Sequence, residues 1–175
     1  EELGRYHVRL VQSLKHELMK AELPTVIFSS EHIQSRLTRK SEIQRLKTIV
    51  HELGIVNIQV IVYLRKPAEI ANSLYSTAVQ NGAVRSQPPP PDQEYFENIY
   101  NHRKTLQMFG EIFGNKSLIF RIFHSSEFKN GSFLEDFLEA IQAPALDHFQ
   151  TPPNQNTSLS ALGIEILRRF NQSVP

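Results

Sequence analysis

Cysteine is absent from the 175 residues. That excludes disulfides and thiolate-bound metals, and it fits a reducing compartment, so a cytoplasmic location is expected. An excess of one charge is missing as well: 19 Lys and Arg stand against 18 Asp and Glu, a formal net charge of +1. Binding nucleic acid through bulk charge needs a large positive surplus. No nucleic-acid partner is therefore expected, and any anion site must be local. No stretch is long and apolar enough to span a membrane, and no secretory leader pattern is visible. The 7 histidines form no HxxxH or HExxH spacing, so no metal site is expected. The G-x-S-x-G turn of a hydrolase nucleophile is missing. So is the Mg²⁺-binding signature that a small-molecule kinase would need. There is no internal repeat, and the length suits one domain, residues 1–175, with a hydrophobic core of its own.

What is present alternates between helical and strand-like patterns. Val8, Leu10, Val11, Leu14, Leu18 and Met19 predict an amphipathic helix over Arg5–Glu22. Pro24 ends it, and "TVIF", Thr25–Phe28, predicts a short buried strand. A helix over Ser41–Leu53 is closed by Gly54. "NIQVIVYLR", Asn57–Arg65, is a continuous β-branched run that suits a strand of a parallel sheet. Pro67 fits the first turn of the helix that follows, which runs to about Asn81 and stops at Gly82. A helix over Tyr95–Phe113, a strand over Ser117–Phe123, a short helix in "SFLEDFLEAI" and a closing helix over Ser158–Phe170 complete the chain. This order predicts an α/β fold with a mainly parallel central sheet and helices on both faces.

Four consecutive prolines in "AVRSQPPPPDQE", Ala83–Glu94, interrupt the pattern. They neither continue a helix nor pair as a central strand. The segment reads as a linker, an active-site flap expected to be mobile, or a proline-recognition ligand. "GEIFGNKS", Gly110–Ser117, has the wrong spacing for a phosphate loop and runs from helix to strand, whereas such a loop runs from strand to helix. Gly114–Asn115 is read instead as a helix-ending turn. The N-x-[ST] sequons at Asn115, Asn130, Asn156 and Asn171 are read as coincidence.

In open α/β sheets ligands gather at the carboxyl ends of the strands. The first predicted strand delivers Ser29, Ser30, Glu31 and His32, the second Arg65 and Lys66, and the third His124, Ser125 and Ser126. A guanidinium offers a planar fork of donors suited to phosphate oxygens. Ser73 lies about 9 Å along the following helix from Pro67 at 1.5 Å per residue, so Arg65 and Ser73 could share one anion. The alternative is a solvated arginine and a helix serine with no common ligand. "SSEH" has two readings as well: Ser30 caps a short helix, or Glu31 or His32 serves as a general base. If strand-like alternation holds there, Glu31 and His32 point to opposite sides.

Taken together, "VIVYLRKPAEIANSLY" resembles the segment with which the sulfotransferase family binds the 3′-phosphate of PAPS (3′-phosphoadenosine 5′-phosphosulfate). There an arginine closes a strand and a serine eight residues on lies in the next helix, which Arg65 and Ser73 match. "TVIFSSEH" resembles the strand carrying that family's catalytic base region, with Glu31 in the base position and His32 as its substitute. "SLIFRIFHSSEFKNGSFLEDFLEAI" and "NQNTSLSALGIEILRRFN" are similar to the late strand and closing helices of the bacterial carbohydrate-sulfotransferase-like branch. The resemblance implies a P-loop NTPase-like three-layer fold, PAPS as sulfuryl donor without a metal, and a hydroxyl or amine acceptor, a small molecule or carbohydrate. The family's "K-T-G-T-T"-like loop for the 5′-phosphosulfate has no match here and is expected upstream of Glu1. Without it the same fold would serve as a catalytically silent nucleotide-binding or interaction module.

Overall fold

The computed structural model describes residues 2–88, 90, 94–151 and 159–173. In chain order they form α1 (Glu2–Ala21), α2 (His32–Arg36), α3 (Lys40–Glu52), β1 (Val60–Leu64), α4 (Pro67–Gln80), α5 (Glu94–Tyr100), α6 (His102–Phe113), β2 (Leu118–Ile122), α7 (Phe133–Ala140) and α8 (Ala161–Ser173). The protein is mixed α/β, with β1 and β2 paired in parallel as a two-stranded sheet among the described residues. Two compact units emerge, Glu1–Val60 with Asn101–Ile119, and Ile61–Tyr100 with Phe120–Pro175.

In the first unit, Ile43, Val50 and Leu53 of α3 and its end are buried, as are Thr105, Phe109 and Gly110 of α6. The two helices pack against each other there. Glu42 starts α3 by accepting the Thr38 and Arg39 N–H groups at 2.9 and 3.0 Å, which satisfies donors that a helix start leaves open. Gly54 at φ 89° ends it, as expected of a glycine in the left-handed region. At Gly110 a Cβ would meet the end of the Asn115 side chain, which would have to turn aside. Lys47 joins α3 to the end of α6, with Nζ donating to the Ile112 carbonyl at 2.7 Å and lying 5.8 Å from the Phe113 ring centre.

In the second unit, α4 packs on α8, with Val79 fully buried. Asn171 of α8 donates to the carbonyls of Val79 and Ala83 at 2.8 and 3.2 Å. The Val79 carbonyl also accepts the Gly82 N–H at 3.0 Å, so the Asn171 amide adds a second bond at the end of α4. Arg168 donates to the Val84 carbonyl at 3.2 Å. The start of the proline segment is thus pinned to α8. Residues 89 and 91–93, on which the flap expectation mainly rests, lie outside the described residues.

Two expectations are corrected. Thr25–Phe28 is not a strand: it is irregular, and Val26, Ile27 and Phe28 are 37%, 52% and 47% exposed. Its apolar, β-branched composition is right for a strand, but a strand exists only where a neighbour completes its hydrogen bonds. The helix expected over Tyr95–Phe113 is two helices. Asn101 leaves helical torsions at φ −84° and ψ 74°, and its side chain accepts the Lys104 N–H at 3.0 Å, capping α6 afresh.

Candidate functional site

The parallel pairing of β1 and β2 brings two of the three predicted strand ends together in the second unit. Phe123 donates its N–H to the Leu64 carbonyl at 2.7 Å, so the residue after β2 is bonded to the one immediately before Arg65. Lys66, extended at φ −55° and ψ 133°, turns the chain into α4, in the conformation a residue preceding proline favours. Its carbonyl accepts the Glu69 and Ile70 N–H groups at 2.9 and 3.1 Å. Pro67 sits in the first turn of α4, where its missing donor costs nothing.

Arg65 stands on this rim with its side chain 43% exposed. Its Nε donates to Glu69 Oε2 at 3.3 Å, and its guanidinium carbon lies 5.6 Å from the centre of the Phe123 ring. Ser73 is exposed on α4, one turn beyond Glu69 on the same helix face. Arg65, Glu69 and Ser73 therefore follow one line, and the Glu69 carboxylate occupies the Arg65 donor that an anion shared with Ser73 would seek. Across the rim, His124 Nδ1 lies 2.8 Å from Ser126 Oγ, which donates to Glu127 Oε1 at 3.3 Å. All three residues are exposed.

Beneath the rim lies a network that the motif reading missed. Asp136 of α7 is 3% exposed. It accepts the Tyr63 hydroxyl at 2.6 Å, Arg121 NH1 at 2.8 Å and the Lys129 N–H at 3.1 Å. Arg121 also reaches Glu139 at 3.0 Å, and Lys129 pairs with Glu139 at 2.9 Å. Burial by itself would raise the Asp136 carboxyl, but the bonds from Tyr63, Lys129 and Arg121 outweigh it and hold the group below its ordinary value. The Lys129 and Arg121 contacts likewise lower Glu139. Burial, and then the bond to Asp136, push the Tyr63 hydroxyl far up, so it stays a donor. Around it, Phe123, Phe128 and Phe133 meet Tyr63 edge-on at 6.3, 6.4 and 5.0 Å between ring centres. Two sequence signals point here: an arginine inside the apolar β2 run, and an acid three residues after Phe133, on the apolar face of its helix.

Glu31 and His32 belong to the first unit. Ser30 Oγ accepts the His32 N–H at 3.2 Å, so the local geometry is that of a serine at the start of the five-residue α2. Glu31 has helical torsions, φ −64° and ψ −21°. The alternation expected to send the two side chains apart does not hold. His32 Nε2 lies 3.7 Å from Glu31 Oε1, with the histidine 62% and the glutamate 87% exposed.

Among the described residues, no group of three His, Cys, Asp or Glu side chains is arranged to hold a metal ion, and no helix is long and apolar enough to cross a membrane. Comparison with family models gave no match. Comparison with curated proteins and with solved structures gave none either.

Proposed function

We propose that the chain is the 3′-phosphate-binding portion of a PAPS-dependent sulfotransferase with a three-layer, P-loop NTPase-like architecture. One observation carries this reading: Arg65 rises at the end of a parallel strand, beside the proline-started helix that bears Ser73 on its exposed surface. An arginine at the end of a strand can meet an anion in-plane with two donors, and a hydroxyl two helical turns on can add a third. The Glu69 carboxylate takes one donor of this guanidinium, which a bound phosphate would have to displace. The 3′-phosphate does not react. It is a handle whose binding energy sets the distant sulfate in register. Bound PAPS would supply the transferable sulfuryl group. Arg65 and Ser73 would hold its 3′ end, and a hydroxyl or amine acceptor, such as a carbohydrate, would take the sulfuryl group. The 5′-phosphosulfate requires a lysine- and glycine-bearing loop that none of the 175 residues matches.

The test is titration with 3′-phosphoadenosine 5′-phosphate and with adenosine 5′-phosphate. Arg65→Ala is expected to weaken the first by about 1.5–3 kcal/mol and to leave the second nearly unchanged. Ser73→Ala should act in the same direction but less strongly. Equal losses for both nucleotides would sink the assignment. Exposed Glu31 and His32 favour a second reading, a nucleotide-binding module of the same fold without catalysis. Nucleotide binding with no sulfuryl transfer, in a chain that carries the 5′ loop, would decide for it.

A further inference from the structure

We propose that Phe123 is a positioning residue for Arg65: its ring, at the end of β2, is the platform that holds the guanidinium ready for a phosphate. The inference rests on the nucleotide reading above. The Arg65 guanidinium carbon lies 5.6 Å from the Phe123 ring centre, within the range of attraction between a cation and an aromatic face. A contact made through the face of the guanidinium consumes no N–H donor, because the donors lie in its plane. Glu69 differs in this respect. Its exposed pair with Arg65, 3.3 Å away across the start of α4, takes up the donor that an anion needs and contributes little once solvated. The ring can stay in place when the phosphate arrives; the carboxylate competes with it.

Phe123 is itself held in place. Its N–H is bonded to Leu64 at 2.7 Å. Phe128 and Phe133 lie 5.3 Å from its ring centre, and Tyr63 lies 6.3 Å away. Tyr63 is in turn fixed by its 2.6 Å bond to Asp136. Yet Phe123 is still 36% exposed, so it reaches the surface where Arg65 stands. A long arginine side chain loses much rotamer freedom when it is fixed on binding. A platform that restricts it beforehand removes part of that cost.

Phe123→Leu and Phe123→Tyr in the full chain are to be compared with the unsubstituted protein, using the same two nucleotides. Phe123→Leu should lower the ratio of the affinities for 3′-phosphoadenosine 5′-phosphate and adenosine 5′-phosphate by about two- to fivefold. The adenosine 5′-phosphate affinity should not change, and Phe123→Tyr, which keeps the ring, should restore the ratio. An unchanged ratio, or equal weakening of both nucleotides, overturns the platform while leaving the 3′-phosphate reading intact. Equal affinities in the unsubstituted protein overturn that reading, and the platform with it. A nucleotide-free measurement stands beside these. The Arg65 Nε–H resonance should be displaced by the ring's shielding. Its absence in the unsubstituted protein overturns the contact even if Phe123→Leu fails to fold.

Discussion

Two regions supply the candidate polar residues, and they are built differently. At the ends of β1 and β2, Arg65 and Phe123 stand over a network in which a carboxylate only 3% exposed has three donors. At residues 30–32 the side chains answer chiefly to each other and to solvent, with Glu31 87% exposed. The first arrangement fixes the geometry of Tyr63, Arg121 and Asp136 before any ligand arrives, because those side chains are held by packing and by partners. The second offers the chemistry of a proton acceptor without enclosure. The contrast teaches that residue type nominates a site, while support from neighbouring layers determines whether the groups are held for use.

The comparison can be broken most sharply at Asp136. Asp136→Ala strands the Tyr63 hydroxyl and takes one of two carboxylates from an arginine that is only 27% exposed. Removing one partner of a buried pair costs about 3–5 kcal/mol, read from urea unfolding. A loss below about 1 kcal/mol, the worth of an ordinary hydrogen bond, would mean that the network does not support the rim.

Acid should act on this network and, separately, on α8. Asp136, Glu139 and Glu165 all have carboxyls lowered in the folded protein, Glu165 to about 2 by its bonds from Arg168 and Arg169. For each, the unfolded chain binds protons at a higher pH than the folded one. Stability therefore rises with pH through that window and is fully present above the ordinary values of 3.8 for Asp and 4.5 for Glu. It should fall as pH drops from about 4.5 toward about 2. Asp136→Asn should flatten part of that fall in a pH series of unfolding midpoints. An unaltered slope would remove Asp136 from the acid response.

The smallest effect is expected in the other region. Glu31→Gln and His32→Ala should each change stability by no more than about 0.5 kcal/mol, as surface substitutions do. A larger loss in thermal unfolding would show that residues 30–32 are anchored more firmly than their exposure indicates, and the contrast would narrow.

Much of the fold was legible. Gly54 and Gly82, both at positive φ, end helices where the sequence put the ends, since only glycine adopts that conformation without cost. Ser132 begins α7 by accepting the Glu135 N–H at 3.4 Å, and Pro67 opens α4. The break at Asn101 was missed because asparagine within an apolar period reads as a tolerated surface residue until its side chain is seen capping Lys104. Arg65 and Ser73 were legible as residue types at a spacing. Glu69 as the partner of Arg65 was one helical turn away and equally readable.

The sequence by itself determined the local punctuation, the helical and strand periods, the lack of thiol chemistry and the position of Arg65 between a β-branched run and a proline-started helix. Each depends on interactions within a few residues along the chain. Only the tertiary structure decided that Thr25–Phe28 remains outside the sheet, that β1 pairs with β2, and that Phe123 lies beneath Arg65 and Asp136 beneath Tyr63. Those outcomes join residues 58 and 73 positions apart. A strand's partner and a buried carboxylate's donors are chosen by which surfaces meet, and no local pattern encodes that choice.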